Sequence, residues 1–141
     1  MRVARWSMLA FAVVAVLTFG LQGTYAAKMN MADELKTAIT HAGFAAKYDT
    51  MKEVGLHLHH VINCLVGPGD KMFDKAAGNP CQGQGHGILP DIKANMGADQ
   101  EYQAAWWLAH IADQALSMGN LAQAKAAGHI IEVQLTSMSK M

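Results

Sequence analysis

Arginine is almost missing from this chain: the only two, Arg2 and Arg5, stand at the extreme N-terminus of 141 residues. Elsewhere nine lysines face eleven acidic residues, which leaves a net charge of −2 with histidine neutral. A nucleic-acid surface needs clustered positive charge, so that class of partner is excluded. Long apolar runs are missing too, apart from MLAFAVVAVLTFG at 8–20, which falls short of the ~20 residues that span a bilayer. No stretch alternates apolar and polar residues far enough to make a strand, so a sheet-based fold is not expected.

Catalytic signatures are equally scarce. There is no CxxCH for covalent haem, no HExxH, no GxSxG and no phosphate-loop pattern. GQGHG at 83–87 lacks the spacing and the following helix of a nucleotide fingerprint, so its glycines read as turns. Glu53, Glu101, Asp113 and Glu132 do not form the paired Glu and Glu-x-x-His sets of a di-iron bundle. A binding role is therefore favoured over an enzymatic one.

The N-terminus has the layout of a secretory signal: two arginines, the apolar run, then GTYAA with Thr24 and Ala26 suited to the positions before a cut. Residues 1–27 are read as a cleaved signal peptide and 28–141 as one domain, exported to the periplasm or secreted, with no membrane span after processing. In an oxidising compartment Cys64 and Cys81 are expected to pair. That disulfide would close a ring of about 18 residues and contribute on the order of 3 kcal/mol; a thiolate metal site is the competing use of the same cysteines.

Four segments carry the helical period. The first, 32–48, places Leu35, Ile39, Ala42 and Ala46 on one stripe, with His41, Phe44 and Tyr48 beside it. The second opens on a capping box, Thr50 with Glu53, buries Val54, Leu58, Val61, Ile62 and Leu65, and stops at Gly67-Pro68. The third, about 98–118, presents Ala104, Leu108, Ile111, Ala115 and Met118, with Trp107 toward the apolar side and Trp106 toward the polar edge. Asn120 caps the fourth, 121 to about 138, with Leu121, Ala124, Gly128, Ile131, Leu135 and Met138 inward. Residues 67–97 hold seven of thirteen glycines and all three prolines, which predicts a long irregular connection with one short helix near Asp70 to Ala77. The fold expected is all-α: an antiparallel four-helix bundle whose Gly/Pro-rich loop between helices 2 and 3 is pinned by the disulfide.

The chemistry lies in HLHHVINC, 57–64. At 100° per residue, Glu53, His57, His60 and Cys64 share one edge of the second helix, while His59 points away. Residues three apart have Cβ atoms ~5–6 Å apart, a gap two imidazoles can close onto one metal. His110 and Asp113 on the third helix and His41 on the first sit at similar edges, so ligands from separate helices can converge. His86 would be carried back toward His60 by the disulfide, in a loop acting as a lid. The candidate metal ligands are thus His57, His60, His110 and His41, with Glu53, Asp113 and His86 as additions; Glu53 would orient His57 or supply an oxygen.

Imidazole suits copper, zinc, iron or nickel, and the methionines, including Met29, Met31, Met138 and Met141, tilt the choice slightly to copper. The function expected is sequestration, delivery or sensing of that ion. Two readings compete with it. In one, the histidines hold non-covalent haem b for electron transfer or gas binding, lined by Trp106, Phe44 and Tyr48. In the other the chain is a ligand-free structural or interaction module. A homodimer is compatible with each.

Overall fold

The computed structural model describes residues 31–95 and 99–140; the expected signal segment lies outside them. Among the described residues every regular element is a helix: α1 (31–47), α2 (Met51–Val66), α3 (Ile88–Asn95), α4 (Asp99–Met118) and α5 (Leu121–Met138). None is long and apolar enough to cross a membrane.

Local chemistry sets the helix ends. Thr50, in extended backbone, accepts the Glu53 amide at 3.2 Å, and its hydroxyl donates to the Glu53 carboxylate at 2.7 Å. Asn120 accepts the Gln123 amide at 3.1 Å and starts α5. Gly67, at φ 73°, ends α2 with its N–H on the Asn63 carbonyl. A Cβ on Gly67 would run into the His86 carbonyl, and one on Gly87 would sit 2.6 Å from the Gly67 nitrogen. The chain leaving α2 and the chain entering α3 cross there backbone to backbone, so both positions require glycine.

The core forms where α2 packs against α4, α5 and α3, and α4 against α5 and α3. Val54, Leu58, Val61, Ile62 and Leu65 of α2 are all buried, as the period predicts, along with Ile131 and Leu135 of α5. Burying each large aliphatic side chain stabilises by roughly 1.5–3 kcal/mol. α1 approaches α5 closely through small residues: a Cβ on Gly128 would lie 2.8 Å from the Ala46 nitrogen. Cys64 and Cys81 form the disulfide, with Cα atoms 5.4 Å apart. Their sulfurs are therefore unavailable as thiolate ligands.

Three expectations need correction. Residues 70–77 form turns, not a helix, because Asp70 and Asp74 accept the amides of Met72 and Ala76 at 2.8 Å each. Such side-chain bonds compete with helical ones. The helix in this connection is α3 instead, which does follow GQGHG; Pro90 falls in its first turn, where a missing N–H costs nothing. Third, α4 buries its alanines, Ala105, Ala109, Ala112 and Ala115, beside Leu108. Ala104 is exposed, Ile111 half-buried and Met118 exposed. Trp107 is 59% exposed while Trp106 packs against the core, the reverse of the assignment made from the helical period.

Candidate metal centre

Three of the predicted histidines meet. His41 reaches across from α1 to His57 and His60, one turn apart on α2, and one ring nitrogen from each lies within 4.8 Å of the others. The two closest approaches both involve His41: its Nδ1 is 3.0 Å from Nδ1 of His57 and 3.3 Å from Nδ1 of His60. Metal–imidazole bonds of about 2.0–2.1 Å at tetrahedral angles separate neighbouring nitrogens by about 3.3–3.4 Å. The two separations through His41 are close to that spacing.

The other ring nitrogen of His60 explains why its Nδ1 faces inward. His60 Nε2 lies 2.7 Å from the Ala77 carbonyl oxygen, and a carbonyl only accepts, so Nε2 carries the hydrogen. In the neutral ring Nδ1 then holds the lone pair. Ala77 is itself held by Asn63, buried on α2, whose amide donates to the carbonyls of Asp74 (2.7 Å) and Gly78 (2.6 Å) while its oxygen accepts the Asp74 amide (2.8 Å). A hydrogen-bonded shell of this kind orients a metal ligand. Asn63 and Ala77 escaped sequence reasoning because nothing local in FDKAAGN marks a carbonyl that will cap a histidine.

Aromatic rings wall the cluster. Tyr48 stacks on His57 at 5.1 Å between centroids and 21°, and Phe44 lies 5.0 Å from His57 and 5.8 Å from His41. This surrounding favours the neutral form of His41 and His57. Burial, reinforced by His60 and His57, lowers the His41 pKa to about 4. Burial and His60 also push His57 down, against the raising effect of Glu53. Neutral imidazole is the form that binds metal.

The remaining candidates lie elsewhere. His110 donates from Nδ1 to the Trp106 carbonyl at 2.9 Å and stacks on that indole; it does not join the three-histidine group. The polar edge of α4 was expected to face that of α2, but α1 supplies the third histidine of the group. Asp113 is exposed. Glu53 spends its carboxylate on Thr50. His86 is exposed and pairs with Asp91 at 3.2 Å; the connection reaches the cluster through Ala77, not through His86.

A second polar feature was not anticipated. Glu34 on α1, 1% exposed, meets Asp91 on α3, 5% exposed. Glu34 Oε1 accepts the Gly87 amide at 2.8 Å. Burial raises the Glu34 pKa to about 7, the Gly87 bond opposes this, and Asp91 adds to it by charge and by a side-chain hydrogen bond. A raised pKa keeps a proton on the Glu34 carboxyl well above the usual carboxylate range, and its other oxygen, Oε2, is buried with no hydrogen-bond partner among the described residues. The pair clasps the end of the connection to α1, where Thr37 also donates to Gln84 at 2.9 Å.

No family model, curated protein or solved structure matches the chain, so the reading of the site rests on its own geometry.

Proposed function

We propose that this chain is an exported metal-handling protein in which His41, His57 and His60 bind one transition-metal ion through Nδ1. The observation that carries the proposal is the convergence of three Nδ1 atoms from two helices, one of them fixed as an acceptor by Ala77. α1, α2, α4 and α5 act as an antiparallel four-helix bundle that holds the rods in register. The signal-like N-terminus supports export to the periplasm or beyond, and the disulfide is compatible with an oxidising compartment.

Three protein donors leave a fourth position for an exchangeable ligand, and all three rings are only half-buried. An ion held so can be passed on, which favours delivery or sequestration over a purely structural role. All-imidazole donors suit copper(II), zinc, nickel and iron, with copper kept slightly ahead by the methionine content. A bare ion is favoured over haem b because axial haem ligands face each other across a porphyrin. Here the His41 and His60 rings lie 4.6 Å apart, centroid to centroid.

Calorimetric titration of the purified, metal-stripped protein with zinc, copper(II), nickel and haem tests this. One equivalent of metal should bind, and His57→Ala with His60→Ala should abolish binding. Binding of haem with a Soret band, blocked by the same substitutions, would replace the proposal with the haem reading. No binding of any of the four would leave a ligand-free module.

A further inference from the structure

Away from the metal centre, α3, α4 and the chain just after α2 enclose a cleft of about 340 Å³. Val66, Leu89 and Ala109 make its buried apolar floor. One wall is a stripe of rings from α4, Tyr102, Trp106 and His110, spaced four apart so that they share a helix face. Small-molecule sites start at about this volume and combine apolar lining with a few polar groups. The wall is fixed: the His110 and Trp106 rings lie 3.8 Å apart at 32°. With its Nδ1–H on the Trp106 carbonyl, His110 keeps Nε2 for a ligand.

The charges at this cleft do not balance. Asp70, Lys71 and Lys93 line it, two cationic side chains against one carboxylate, whose Oδ1 accepts the Met72 amide at 2.8 Å. Among the described residues neither lysine is in an ion pair. Two ammonium groups without a partner beside a row of aromatic faces call for a ligand with a flat apolar body and an anionic end. We infer that this cleft binds a small aromatic carboxylate, with its ring against Trp106 and Tyr102 and its carboxylate toward Lys71 and Lys93. The site is independent of the metal centre.

The probes are 2-naphthoate, its uncharged amide 2-naphthamide, and hexanoate, titrated into isotopically labelled protein and followed by NMR. 2-Naphthoate should shift the Trp106 indole, Tyr102 and His110 signals and bind roughly tenfold more tightly than the amide, the range two solvent-facing ion pairs supply. Lys71→Ala with Lys93→Ala, both exposed positions, should erase most of that gap; Trp106→Leu should weaken both aromatic probes. Metal affinity should stay unchanged in every variant. The inference is overturned if the amide or hexanoate binds as well as 2-naphthoate, if the double lysine variant keeps the gap, if the shifts centre outside the cleft, or if 2-naphthoate does not bind.

Discussion

Removing His41 isolates the contribution of α1 to the metal centre, because both close Nδ1 contacts run through that ring. His41→Ala leaves His57 and His60, a pair on one helix with no third arm. Loss of a residue that only orients a ligand costs 10–100-fold in metal affinity, so loss of the ligand itself should cost at least about 100-fold. With free metal at 100 times the wild-type Kd, the folded wild type gains about 2.7 kcal/mol, while a site 100-fold weaker gains about 0.4 kcal/mol. For a domain of this size those energies correspond to a rise in Tm of roughly 10 °C for wild type and roughly 2 °C for the variant. Thermal denaturation followed by circular dichroism, with and without zinc or copper(II), measures both, each protein referred to its own metal-free Tm. His110→Ala serves as the control and should keep the full rise. A wild-type metal shift in His41→Ala would refute the three-histidine geometry, and its collapse in His110→Ala would move the site to α4.

Further outcomes follow from the same contacts. Because the His41 pKa is lowered to about 4 and that of His57 is also depressed, protons compete late at two of the three rings, so metal affinity should fall less steeply below pH 6.5 than three unperturbed imidazoles would give. Half-loss above pH 6.5 in a competition titration would contradict the burial argument. Glu34 works in the opposite sense to His41. Its folded pKa is raised from 4.5 to about 7, so the folded state binds the extra proton and stability is lost as pH rises across that interval. His41, lowered from 6.5 to about 4, makes stability fall as pH drops through its own interval. Glu34→Gln should therefore raise Tm at pH 8 and have little effect on it near pH 4.5; an unchanged Tm at pH 8 would rule out a raised Glu34 pKa. Asn63→Ala removes three hydrogen bonds and should cost about 3 kcal/mol in urea unfolding. It should also weaken metal binding 10–100-fold by freeing Ala77; unchanged affinity would show that Ala77 does not orient His60.

The parts of this fold legible in the sequence are those where pattern and punctuation agree. The α2 stripe and the Gly67 stop were readable because large aliphatics mark the face and a glycine marks the end. Cys64 and Cys81 were readable as a pair from the expected compartment. α4 was misjudged because its buried face is made of alanine, which carries little weight beside Trp107 and Met118, yet small side chains are what let helices pack closely. α3 was hidden by Pro90, a breaker everywhere except a first turn. At the site, His57 and His60 were legible from their spacing on one helix. Their partner was not: periodicity finds edges, not which edges face, and both His41 and His110 sat on suitable ones. The Glu34–Asp91 clasp joins residues 57 apart in sequence, and no local signal pairs them.

Anomalous diffraction from crystals of the zinc- or copper-loaded protein bears most directly on the metal centre. One peak should stand about 2.0–2.1 Å from Nδ1 of His41, His57 and His60 together, with His60 Nε2 still on the Ala77 carbonyl. A bound ion at any other set of ligands, with these three rings left uncoordinated, would overturn the assignment.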